Sequence, residues 1–266
     1  MTGDVAGDEG RGPARKPDVP GLRIGPFVWV NELGRTGADD PWAHRKGEPR
    51  TFTLLWAIYL MVAALLTIFA VPTLSGAGVR QWTYGCQTMM LLVFVGVCVL
   101  WPATRLSQLS PERPRRATLV DLSIMLIPVQ AVVWPMPLLT GWTWIVTLGL
   151  VLAVAGWGVL IGAVLARGCA SVRSYARTWA MGAVLALVAM GPLVSVVFDS
   201  SLVSRGASLP GWWALVSPLT LSHAMTTTPM NLTPSMSGAE WAAGWAPLAV
   251  GCVLWMWLAR RPDGVG

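Results

Sequence analysis

Long uncharged apolar runs alternate with short polar breaks along most of this chain, and the runs predict its elements. Six of them cover residues 52–74, 84–100, 119–139, 142–166, 179–198 and 241–259. A bilayer core about 30 Å thick needs about 20 apolar residues per helical crossing, and each run approaches or exceeds that length. The expected fold is therefore all-α and polytopic, with six transmembrane helices. Prolines punctuate the runs. Trp101-Pro102 should end the second, because proline discourages helix at the residue before it. Pro128, Pro135 and Pro137 should kink or break the third, and Thr140-Gly141 makes a tight turn before the fourth. Gly191-Pro192 should break the ladder of the fifth, and Pro247 lies inside the sixth.

Outside the runs the character changes. Residues 1–25 are rich in Gly, Pro and charge and cannot bury enough apolar area to offset ordering entropy, so they read as a disordered cytoplasmic tail. Residues 26–51 form a cytoplasmic or interfacial segment. There Pro26 suits a first helical turn, and Phe27, Val30 and Leu33 follow at helical spacing, which fits a short interfacial helix or a plain connecting turn. Residues 199–240 form an outer segment whose stretch GWWALVSPLTL is too short to span and too apolar for water. It reads as interfacial or re-entrant. Asn231-Leu232-Thr233 matches a glycosylation acceptor, a tripeptide too common to weigh.

Charge supplies the orientation. Lys and Arg number eight before the first run, one in the first loop (Arg80) and four in the next (Arg105, Arg113, Arg115, Arg116). None follows the third run, three follow the fourth (Arg167, Arg173, Arg177), one the fifth (Arg205) and two the sixth (Arg260, Arg261). Alternate breaks thus carry seventeen on one side and two on the other. By the positive-inside rule both termini are expected in the cytoplasm. Tryptophans at run ends, among them Trp101, Trp142, Trp144, Trp179, Trp241 and Trp257, fit an interfacial belt. Because the basic residues sit in the breaks, the net charge of +6 reads as a topology signal, and no nucleic-acid partner is expected. The four cysteines (Cys86, Cys98, Cys169, Cys252) lack metal or disulfide spacing, and the first 50 residues hold no apolar core of a secretory signal. The abundance of Ala, Gly, Arg and Trp fits a bacterial source, hence a multi-pass protein of the inner, cytoplasmic membrane.

Candidate chemistry is sparse. Ionisable side chains are nearly absent from the runs, with Asp121 and Asp199 at their ends, which weakens a proton- or ion-coupled carrier. The two histidines are His44 and His223; Ser222-His223 are neighbours in sequence, which does not make a dyad. Met225, Met230 and Met236 lack a cysteine partner and fit surface packing better than a copper site. Gly158 and Gly162 form a G-x-x-x-G suited to close helix packing, within the chain or in a dimer. No P-loop motif occurs, so ATP hydrolysis is not expected on this chain, and neither are catalytic, cofactor or metal sites.

The order of an amphipathic N-terminal piece, six spans, a basic loop after the second and an outer segment before the last resembles the membrane subunits of ABC exporters of the type-2 permease family. Pro26 with Glu32-Leu33 is similar to that family's N-terminal interfacial motif. Glu112-Arg113, then Pro114-Arg115-Arg116 and Thr118-Leu119-Val120-Asp121, is similar to its Glu-Arg loop and the start of its third helix. Ser217-Pro218-Leu219 is like its small-Pro-apolar step. The resemblance implies that Glu112, Arg113, Arg115, Arg116, Thr118 and Asp121 belong to a loop coupling to a separate ATPase, which would hold the ATP and magnesium. Glu112, Arg113 and Arg116 would make polar contacts, and Thr118 and Asp121 would cap and start the third helix. It also implies a homodimer or heterodimer moving an amphipathic substrate by alternating access. The alternatives are a non-transport membrane scaffold or assembly protein without an ATPase, and a gradient-driven carrier.

The orientation is testable. With the four native cysteines replaced, a single cysteine introduced as Arg113→Cys should react with a membrane-impermeant maleimide only after cells are permeabilised. Labelling of intact cells would reverse the topology.

Overall fold

The computed structural model describes residues 49–70, 79–108, 113–171, 175–202, 216–226 and 236–260, all within the unit Lys46–Gly266. The expected tail, the interfacial motif Pro26, Glu32 and Leu33, the loop residue Glu112 and the Asn231 tripeptide lie outside the described residues. Every regular element described is helical: α1 (Pro49–Ala70), α2 (Val79–Val95), a π-helical turn (Gly96–Leu100), α3 (Trp101–Ser107), α4 (Pro114–Val133), α5 (Met136–Leu139), α6 (Trp144–Ala170), α7 (Tyr175–Leu202), α8 (Pro218–Thr226) and α9 (Gly238–Ala259). Among the described residues, six helical stretches are long and apolar enough to cross a membrane: Phe52–Phe69, Trp82–Ser107, Pro114–Leu139, Trp144–Ala170, Tyr175–Val194 and Gly238–Ala259. The chain is a multi-pass membrane protein.

Two prolines behave otherwise than expected. Helix does not stop at Trp101-Pro102 but runs on to Ser107, because the preceding turn widens into π geometry, with the Trp101 N–H donating to Gly96 O. Pro102 then occupies a first-turn position of α3, where its missing N–H costs nothing. Likewise α7 continues through Gly191-Pro192. Pro192 cannot donate to Val188 O, four residues back, and the hydroxyl of Ser217 donates to that carbonyl instead at 2.7 Å. A side chain at Gly191 would collide with Ser217 and Thr220, so the small residue and the proline together admit α8 against α7. The third crossing does break, between Val133 and Met136, while Pro128 stays within α4. In the outer segment, α8 takes in the end of the expected interfacial or re-entrant stretch 211–221, of which residues 216–221 are described, and runs on to Thr226. It packs on α2, α6, α7 and α9, with Pro218, Leu221, Ser222, Met225 and Thr226 buried and Gln87 Nε2 donating to Thr226 O at 2.8 Å.

The core forms around α6, whose long apolar helix is the most buried of the crossings and contacts α3, α4, α5, α7, α8 and α9. Inside lipid an apolar face gains little by leaving one hydrocarbon environment for another, so close packing of small residues takes over. Alpha-9 approaches α6 through Gly156, Gly244 and Gly251: a β-carbon on Gly251 would lie 2.8 Å from Leu160 N, and one on Gly156 3.1 Å from Gly244 O. The indole of Trp255 donates to Val159 O at 3.0 Å across the same seam. On another side of α6, Gly158 and Gly162 meet Leu122 of α4 and Trp101 of α3, so the G-x-x-x-G packs within the chain. In α1, by contrast, Phe52, Trp56, Leu60, Ala63 and Thr67 form a buried stripe at helical spacing, while Leu54, Met61, Leu66 and Phe69 stay exposed toward the lipid.

Gly251→Val should therefore lower stability in detergent by about 1–3 kcal/mol, because it forces α9 from α6. Gly182→Ala, with nothing within 4 Å of the added carbon, should raise it by about 0.5–1 kcal/mol. Thermal unfolding of both variants checks the pair of signs.

Candidate functional site

The continuation of α3 past Pro102 carries Arg105 into the bundle, one helical turn beyond Trp101 and on the same face. Opposite it, α4 begins at Pro114 in its first position with Arg113 as N-cap, and Asp121 falls two turns inside. Arg105 Nε lies 3.2 Å from Asp121 Oδ2, and the two side chains are only 7% and 5% exposed. Asp121 thus sits two turns inside a crossing helix rather than at its end, while Arg105 lies in the last turn of another. The reason is the π turn, which no residue pattern announced.

The surroundings tie four helices to this pair. Arg105 Nη1 donates to Gln108 Oε1 at 3.2 Å, and Arg177 Nη1 on α7 donates to Gln108 O at 3.0 Å. Cys169 of α6 lies within the electrostatic reach of Arg105, Arg177 and Asp121. The Trp101 indole stands beside the Asp121 carboxylate without closing a hydrogen bond, and Arg105 Nε, Arg105 Nη2 and Asp121 Oδ2 also lack aligned partners. The ion pair is therefore held by charge attraction at short range rather than by a bidentate fork. Taking two ions out of water costs several kcal/mol each, so such a pair persists only while both members stay.

Several residues expected to act together are thereby separated into two groups. Thr118 and Asp121 do not cap or start the helix. Thr118 is buried, donates its hydroxyl to Pro114 O at 2.8 Å and turns its methyl toward Gly162, whereas Asp121 serves Arg105. Arg113 and Arg116 are exposed and Arg115 is half-buried at the helix start. The same few turns thus show a basic outer surface and a buried polar anchor. Trp101, Arg105, Gln108, Cys169 and Arg177 were missed as parts of one cluster. The available signal was the i, i+4 relation of Trp101 and Arg105, legible only if helix is allowed beyond Pro102.

Other candidates come apart. Ser222 is buried and donates to Leu219 O, while His223 is exposed on α8, so the two neighbours face different ways. Met236 packs against Gly149 and Met225 against Gly244, and Met230 lies outside the described residues. Among the described residues no group of three His, Cys, Asp or Glu is placed to hold a metal. Comparison with family models, curated proteins and solved structures finds no match to this chain.

Removing one partner should strand a buried charge. Asp121→Ala is expected to cost about 3–5 kcal/mol, and the double variant Arg105→Met with Asp121→Leu should recover most of that. Unfolding midpoints of the single and double variants in the same detergent decide it. Equal losses in both would deny the pairing.

Proposed function

We propose that this chain is the membrane-spanning subunit of an ATP-driven exporter of the ABC type, working with a separate ATPase and a second permease chain in the cytoplasmic membrane. The observation that carries the reading is the double character of the start of α4. Arg113 and Arg116 face outward beside the Glu112-Arg113 motif, while Asp121 on the same helix is paired to Arg105 inside the bundle. A force on the basic connection would be carried by a rigid helix to a charge pair that also engages α3, α6 and α7. The excess of basic residues in alternate breaks supports a cytoplasmic position for this connection and both termini, the side on which an ATPase would dock.

The core of one bundle is filled by Trp56, Trp101, Phe94, Met90 and Met125, so a passage would run between two copies rather than through one. Its walls would be apolar, which suits an amphipathic cargo better than a bare ion. A role as a membrane scaffold without an ATPase is the competing reading.

Purification of the full chain from its native membrane, with mass spectrometry for a co-purifying P-loop ATPase, separates the two. The wild type should retain that ATPase through purification, and Glu112→Ala with Arg113→Ala should weaken retention by about 2–5 kcal/mol, as truncation of charged interface pairs does. A detergent-stable wild type that brings down no ATPase would leave the scaffold.

A further inference from the structure

At the same end of the bundle as Arg105, α7 and α9 stand apart on either side of α6 and leave a lateral groove of about 450 Å³. Ala163 and Gly168 form its floor, Ala176 and Trp179 one wall, and Leu254 and Trp257 the other. Its inner surface is apolar, with small residues deepening the floor, and its rim is aromatic: Trp179 is 71% exposed, Tyr175 54% and Trp257 41%. Rings that present an apolar body and a polar tip belong at the level of lipid headgroups.

A cation stands at this rim. Arg167, in the last turn of α6, is exposed and holds its guanidinium 5.2 Å over the Trp257 ring. The indole face orients the guanidinium without neutralising it, and its N–H edges stay open to an oxyanion. Among the described residues no carboxylate lines the groove, Asp121 being enclosed with Arg105, and Arg260 adds a further exposed charge one turn beyond Trp257. An apolar slot beneath an exposed guanidinium complements one kind of molecule that a membrane supplies: an acyl chain below an anionic phosphate.

We propose that this groove is a binding site for an anionic phospholipid of the leaflet on the side of the basic connections, with an acyl chain between α7 and α9 and the headgroup phosphate on Arg167. It does not depend on an ATPase partner. Such a site would wedge a lipid between α7, whose first turn reaches the ion-pair cluster through Arg177, and α9, so lipid composition would bear on how the bundle moves.

Native mass spectrometry of the delipidated full chain, titrated with phosphatidylglycerol or phosphatidylcholine of identical acyl chains, tests this. The wild type should take up one phosphatidylglycerol about fivefold more tightly than phosphatidylcholine, the value of one arginine near an anionic headgroup. Arg167→Gln should erase that preference while leaving the lipid-free melting temperature unchanged. Ala176→Trp, which fills the slot, should lower uptake of both lipids, and inorganic phosphate should not displace phosphatidylglycerol. An unchanged preference in Arg167→Gln overturns the site. So does an Ala176→Trp variant that leaves lipid uptake intact and instead shifts the oligomeric state, because the groove would then face a second copy.

Discussion

A guanidinium and a carboxylate enclosed together, Arg105 against Asp121, set the terms for one end of this bundle. Neither ion can be buried alone, and water cannot reach them to share the cost. Their meeting requires that α3 continue beyond Pro102 and that α4 begin early enough to present Asp121 inward. The π turn at Gly96–Leu100 satisfies the first requirement and Pro114 at the head of α4 the second. From the pair, Gln108 reaches to Arg177 on α7, and Trp101 packs on Gly162 of α6. Four helix ends are thus fixed by one electrostatic contact and the small polar network around it.

Elsewhere the same logic applies to the backbone. In hydrocarbon every carbonyl released by a proline or a helix irregularity needs a donor. Ser217 supplies one to Val188 O, which Pro192 leaves unserved. Tyr59 of α1 also donates to Leu92 O of α2 at 2.6 Å, and Trp56 of α1 to Met125 O of α4 at 3.1 Å. Each of these donors comes from a different element than its acceptor, so the bonds join neighbouring parts of the bundle. At Pro192, a proline expected to break its helix marks a place where two elements are joined.

The six crossings were legible because span length is dictated by the bilayer, and composition alone reports it. Which face of each helix points inward was not, since Leu54 on the outside and Leu60 on the inside of α1 are chemically equal. Packing in lipid is chosen by shape, and shape depends on the partner. The G-x-x-x-G gave the right kind of contact but not its partner, and the glycines of the α6–α9 seam carried no recognisable spacing across two helices. Continuation through Pro102 and Pro192 was hidden for a related reason. The residues that make it tolerable, Gly96 and Ser217, are distant in sequence or ordinary in type. The basic connection was visible as charge, but the inward role of Asp121 appeared only with Arg105 facing it.

The basic helix start, the buried pair and the α7 end form one mechanical unit if the pair couples them, and hydrogen exchange reports this most directly. In lipid nanodiscs, Asp121→Asn compared with wild type should lose amide protection together in residues 101–108, 114–121 and 175–180, with the α6–α9 seam unchanged. Protection lost only in the first turn of α4, or nowhere, would show that the enclosed charges do not join these helices into a single moving body.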